Sequence, residues 1–201
     1  MADRRWRMAF VIADHPSAIR HLQSAMSSPI LWKRLDIPGH ESARLTGPTL
    51  HGSAVMLHDA KACRLDYEIV CDDAWRTRSA RVSGWIGDGI VHVRITHENG
   101  VWTMNGDPVP AVAGCIDIDL NFSPSTNLLP IRRLNLAIGE AAEVRAAWLR
   151  FPSLALEPLV QSYTRLAENR YRYSSGTFVA ELEVNSEGFP TEYAGVWRAS
   201  S

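Results

Sequence analysis

Over much of its length the chain alternates apolar and polar residues with a period of two, and short glycine turns separate the alternating runs. Leu65, Tyr67, Ile69 and Cys71 interleave with Arg64, Asp66 and Glu68, and Ala80 and Val82 interleave with Ser79, Arg81 and Ser83. A period of two puts one set of side chains on each face of an extended strand, so it predicts a sheet with one buried face. Gly87-Asp88-Gly89 marks a hairpin into Val91 to Ile95, where His92, Arg94 and Thr96 make the polar face, and Asn99-Gly100 turns the chain into Val101 to Met104. Strands are also predicted over Val144 to Phe151, Arg170 to Ser174, Thr177 to Val184 and, after a turn at Ser186-Glu187-Gly188, Thr191 to Arg198. Helical signal is confined to Ala18 to Met26 and Pro158 to Leu166. A mainly β chain with one or two short helices must bury its apolar face by curling the sheet on itself or by packing it as two layers.

One stretch departs from the alternation. Cys115 to Leu136, CIDIDLNFSPSTNLLPIRRLNL, begins as a strand in which Asp117 and Asp119 alternate with Ile116, Ile118 and Leu120. Ser123-Pro124-Ser125 then breaks the run before Asn127-Leu-Leu-Pro-Ile-Arg-Arg-Leu134. Two carboxylates on one strand face and a later arginine pair suit an internal ion-pair network that pins an irregular loop across a sheet. The arginines equally suit a site for an anionic headgroup, since guanidinium forks grip phosphate or carboxylate bidentately; Arg76, Arg78, Arg132 and Arg133 are the candidates. At i,i+2 on a strand the aspartates point the same way, roughly 7 Å apart at ~3.3 Å of rise per residue, a spacing compatible with a hydrolytic carboxylate pair.

Other chemistries find little support. Lys and Arg number 21 against 22 Asp and Glu, so no net charge draws polyanions. A nucleic-acid face would need Arg76, Arg78, Arg81 and Arg94 segregated together beside aromatic residues. Cys63, Cys71 and Cys115 form neither a CxxC nor a zinc-type Cys/His spacing, and no HExxH, G-x-S-x-G or dinucleotide-binding glycine pattern occurs. No metal or cofactor is expected. Seven tryptophans and five tyrosines could line an apolar groove or stack on sugars, although aromatic residues on strands more often fill a core. Trp75 and Trp102, each beside a turn with polar neighbours, are the ones expected to face a ligand.

The stretch TNLLPIRRL, together with Trp32…Pro38-Gly39-x-Glu41, Trp75-Arg76-Thr77-Arg78, Gly100-Val-Trp102, Gln161-x-Tyr163 and Tyr171-Arg-Tyr173…Phe178, resembles a bacterial family described as glycolipid-binding. The resemblance runs from about Leu31 to Trp197 and implies a sheet curled into a half-barrel, related in outline to lipoprotein carriers, whose concave face takes an amphipathic small molecule without chemistry. Trp75, Arg76, Arg78, Trp102, Asp117, Asp119, Asn127, Arg132, Arg133, Gln161, Tyr163, Tyr171 and Tyr173 are its candidate ligand-binding residues. Alternatives are a hydrolase built on Asp117 and Asp119 and a module that pairs a sheet edge with another chain.

Because the resemblance starts after Pro29, residues 1 to 29 are expected to be an extension, or an overextended start with Met26 the true one, and residues 30 to 201 a single β domain. Arg4-Arg5-Trp6-Arg7 followed by Met8 to Ala13 imitates a secretion signal, but six apolar residues fall short of the ~7–15 of an h-region. The expectation is a cytoplasmic protein without stable membrane insertion.

Overall fold

The computed structural model describes residues 29–200; the helix expected over Ala18 to Met26 lies outside them. The described chain forms one sheet of fifteen strands. Its first part is a meander of β1 (Ile30–Arg34), β2 (Gly39–Thr46), β3 (Thr49–His58), β4 (Lys61–Cys71), β5 (Thr77–Ile86), β6 (Gly89–Glu98), β7 (Val101–Met104) and β8 (Asp107–Pro108). After β9 (Asp117–Leu120) and a short helix α1 (Leu128–Leu134), a second meander follows: β10 (Ala141–Arg150), β11 (Ala155–Ala167), β12 (Arg170–Ser175), β13 (Phe178–Val184), β14 (Pro190–Tyr193) and β15 (Trp197–Ala199).

The two meanders are wings joined where β1 pairs β15, with Trp32 opposite Ala199 and Arg34 opposite Trp197. Neighbouring strands are antiparallel except β9, which lies parallel to β10 at the far edge. The sheet stays open between β8 and β9, as a half-barrel does. Both edges are short, and β8 carries Pro108, so neither presents a long row of unpaired donors. The segment entering β9 also crosses to the opposite wing. The Ile118 N–H donates to Thr77 Oγ1 at 3.0 Å and the Thr77 N–H to the Ile116 carbonyl at 3.3 Å, at the start of β5.

Period-two alternation turns one face of each wing inward. Trp32, Leu50, Leu65, Ile69 and Ile95 are fully buried and pack with Phe122, Leu128 and Leu129 from the segment after β9. A second cluster joins Ile131 and Leu136 of that segment to Val144, Tyr163, Tyr171, Tyr173 and Leu182 on the other wing. Residues 121–136 therefore fill the concavity as a plug shared by both wings. Burial of a side chain such as Leu128, Leu129 or Phe122 contributes roughly 1.5–3 kcal/mol.

One expectation about helices is corrected. Pro158 to Leu166 lies in β11, where Gln161 and Tyr163 face inward; β12 pairs only from Ser162, so Pro158 stands where one flank of the strand carries no neighbour. The helix forms instead at Leu128–Leu134, whose proline is third, within the first turn that needs no N–H. Asn135 ends it in the left-handed region at φ 44°, its N–H returning to the Ile131 carbonyl at 3.2 Å. Ahead of the predicted strands the chain also forms β1, β2 and β3, where Glu41 at an inward position on β2 interrupts the apolar alternation.

Candidate functional site

The plug is anchored by a buried polar cluster. Glu41 Oε1 on β2 accepts hydrogen bonds from Tyr67 Oη on β4 at 2.6 Å and from Ser123 Oγ at 2.5 Å, and Ser125 Oγ lies 2.6 Å from the same tyrosine oxygen. Gly52 on β3 makes this possible, because a Cβ there would overlap the Tyr67 ring. Burial pushes the Glu41 carboxyl up to about 8, against the pull of the Ser123 and Tyr67 hydrogen bonds and the Arg34 charge. Its Oε2 is a buried oxygen without a partner. A neutral acid is the form this setting favours at pH 7.

At the other end of the plug Arg133 on α1 grips Asp117 on β9 through two parallel hydrogen bonds, Nε to Oδ1 at 2.9 Å and Nη2 to Oδ2 at 2.5 Å. Asp117 is 1% exposed. Burial pushes its carboxyl up while Arg133 pulls it back, and the carboxylate holds the Arg133 guanidinium above its usual range. This pair ties the helix to the sheet edge.

Two residues along the same strand, Asp119 meets a different environment. Its Oδ2 accepts from Gln161 Nε2 at 2.5 Å, and the same amide nitrogen donates to Tyr173 Oη at 3.1 Å. No arginine reaches it among the described residues, and burial pushes its carboxyl up to about 6, opposed only by the Gln161 hydrogen bond. Asp119 borders a cavity of about 350 Å³ together with Asn127, Tyr173, Arg34, Ser123 and the rings of Trp148, Phe178, Tyr193 and Trp197. Tyr173, Phe178 and Tyr193 pack edge to face or tilted with centroids 5.9–6.1 Å apart. Asn127 is fixed by accepting from Tyr163 Oη at 2.8 Å and donating to the Pro124 carbonyl at 3.0 Å. Arg34 lies over the Trp197 ring at 5.2 Å with its Nε on Asp36. The result is a concave, aromatic-walled site with a carboxylate and an amide at fixed positions, which is how proteins hold polyhydroxylated ligands.

A second, larger cavity of about 810 Å³ lies beside the end of α1, lined by Trp75, Ile131, Arg132, Arg165 and Tyr171 among others. Arg132 spreads over the Trp75 ring at 4.3 Å and donates from Nε to the Glu187 carbonyl at 2.7 Å. Trp75 itself sits at φ 61°, in the tight turn that Asp72 Oδ1 closes by accepting the Ala74 and Arg76 N–H groups.

The thirteen sequence candidates thus separate. Asp119, Asn127, Gln161, Tyr163 and Tyr173 come together at the first cavity, and Trp75, Arg132 and Tyr171 at the second. Asp117 and Arg133 bind each other. Arg76 and Arg78 lie on an exposed shelf near Asp72, which Arg78 pairs at 3.3 Å. Trp102 is 1% exposed, stacks on His97 at 4.2 Å and donates from Nε1 to the Cys115 carbonyl at 3.0 Å. The four arginines considered for one headgroup site therefore occupy three places. Arg34, Glu41, Trp148, Tyr193 and Trp197 were not legible as site residues. Trp32-x-Arg34 and Tyr193…Trp197 carry an inward alternation that hints at them, but only the pairing of β1 with β15 brings the two ends of the chain together.

The family model described as "Putative glycolipid-binding" matches residues 29–199. The chain belongs to this family. A solved structure of a DUF1089 family protein from Pseudomonas aeruginosa is similar over 98% of this chain and 99% of its own, at 29% identity and a TM-score of 0.75. No curated protein matches the sequence. Among the described residues no helix is long and apolar enough to cross a membrane.

Proposed function

We propose that this family member binds a sugar-bearing amphiphile, with the sugar in the aromatic cavity at the start of the plug. The observation that carries this reading is Asp119: a carboxylate without a cationic partner among the described residues, bordering a cavity walled by Trp148, Tyr173, Tyr193 and Trp197. Its oxygens and the Asn127 amide would take sugar hydroxyls while the rings cover the apolar sugar face. Leu159 and Phe178 at the cavity offer apolar contact for the tail, whose burial contributes about 0.8 kcal/mol per CH₂. The description of the family as glycolipid-binding agrees with this chemistry. Mechanism is then partition between protein and water or membrane, with no bond made or broken.

The hydrolase alternative is weakened because both Asp117 oxygens are held by Arg133, leaving Asp119 without a second free carboxylate on its strand. The test is native mass spectrometry of protein purified from its own host, followed by lipid extraction, in parallel with titration of octyl glucoside by tryptophan fluorescence. A co-purifying glycolipid, and an octyl glucoside response lost in Trp148→Ala and weakened about tenfold in Asp119→Asn, in variants that melt normally, support the proposal. Empty protein and variants that bind as the parent does would refute it.

A further inference from the structure

We propose that the cavity beside the end of α1 is a separate binding site for a singly charged oxyanion attached to an apolar body, a carboxylate or a phosphodiester, gripped by Arg132. The inference starts from two neighbouring arginines. Arg133 has its carboxylate, whereas Arg132 makes no ion pair with any described residue. Its Nε is committed to the Glu187 carbonyl and one face lies on Trp75, so Nη1 and Nη2 are left without a described acceptor while the residue lines the cavity. Burial lowers its pKa, which is the mark of a cation poorly served by solvent.

Two further donors border the same space. The Tyr171 hydroxyl has no hydrogen bond to a described residue. Asn185 spends its carbonyl oxygen on the Glu187 and Phe189 N–H groups at 3.0 Å each, which turns its amide N–H₂ into the available end. Arg165, by contrast, is consumed by the carbonyls of Leu136, Ala167 and Glu168 and shapes the wall. A guanidinium fork plus a hydroxyl and an amide forms a donor set for a two-oxygen anion.

The charge of the ligand follows from the acids at the rim. Glu187 is close enough for its charge to favour protonated Arg132 without pairing with it, and Glu168 is exposed at the edge. The charges of Arg132 and Arg165 are already offset by Glu168 and Glu187, so a second negative charge on the ligand meets no further cation in the lining, and a dianion such as inorganic phosphate is disfavoured. Ile131, Val184 and the Trp75 and Tyr171 rings give one part of an otherwise polar lining an apolar surface suited to a hydrocarbon body. This site does not depend on the sugar-binding reading of the first cavity.

The test uses decanoate and dihexanoyl-phosphatidylglycerol below their micelle concentrations, with octyl glucoside as the neutral probe, titrated into the whole chain by calorimetry. The expected result is binding of one anionic probe, which names carboxylate or phosphodiester as the source. Arg132→Gln should weaken it roughly tenfold to a hundredfold, the range for lost charge-assisted hydrogen bonds, and Arg132→Lys less. Octyl glucoside should be unaffected by Arg132→Gln, and the anion unaffected by Asp119→Asn, so failure of either site is seen separately. Should Arg132→Gln not fold, Tyr171→Phe takes its place, with a weakening of several-fold expected for one lost hydrogen bond. Absence of binding by both anions, or equal affinity in the folded variant used, overturns the proposal.

Discussion

Asp117 and Arg133 form one pair of charges in this molecule; Asp119 and Arg132, their close neighbours on the same strand and helix, form none. The difference is geometric. Positions i and i+2 on a strand face the same way but stand about 7 Å apart, and consecutive helix residues diverge by about 100°, so a single contact between strand and helix can use only one member of each pair. The used pair locks the plug to the edge strand at 2.5 and 2.9 Å. The unused members each border a cavity, Asp119 at the start of the plug and Arg132 at its end. Proximity in sequence therefore says little about role: one charge of each doublet holds the fold, and the other borders a cavity.

The sharpest way to break this comparison is to remove Arg133. Arg133→Gln leaves a buried, uncompensated Asp117 and should cost about 3 kcal/mol or more in urea unfolding; a cost equal to that of Arg132→Gln would erase the distinction between the two arginines. The polar anchor at the opposite end of the plug predicts a pH dependence. Folding raises the Glu41 carboxyl from 4.5 to about 8, so between these values the folded state keeps a proton that the unfolded chain releases. Stability should be greatest below about pH 4.5 as far as this group is concerned and should fall as pH rises to about 8, by at most about 1.4 kcal/mol per pH unit. Comparing unfolding of the parent and Glu41→Gln across that range isolates the contribution, and parallel curves would show that Glu41 is ionised in the fold.

Asp119→Asn should change stability by less than about 1 kcal/mol, the scale of one hydrogen bond, yet weaken octyl glucoside binding about tenfold, as losing a charge-assisted acceptor does. Since burial holds this carboxyl at about 6, affinity in the parent should rise as pH increases from 5 to 7 and stay level in the variant; a parent that binds alike at both ends would remove Asp119 from the site. The smallest effect belongs to Arg78→Ala. Its pairing with Asp72 is exposed, so melting should move by no more than about 0.5 kcal/mol equivalent, and binding of both probes should be untouched. A larger shift would mean that the exposed shelf supports one of the cavities.

How much of this was legible depended on the range of the interactions. The turns at Asn99-Gly100 and Gly87-Asp88-Gly89 and the alternation of Leu65, Tyr67 and Ile69 announce strands directly, because hairpin register is set within a few residues. Pro158 misled toward a helix, since a proline in a long strand is tolerated only where a neighbouring strand is missing, and that is a fact of the assembled sheet. α1 shows almost no helical period, because it has only seven residues with a proline in its first turn, and its apolar side chains are buried against both wings. The four candidate arginines, Arg76, Arg78, Arg132 and Arg133, share a chemistry but not a place.

The sequence by itself determined the hairpin strands from Leu65 to Met104, which face of them is apolar, and that the segment from Cys115 to Leu136 must be irregular and rich in charge. Those properties are local, written in periods of two and in turn residues. Only the tertiary structure decided that this segment plugs the concavity, that Asp117 is spent on Arg133 while Asp119 is not, and that Glu41 meets Ser123, 82 residues away. Such choices depend on contacts between distant parts of the chain, and they exist only once two wings of one sheet have closed around the plug.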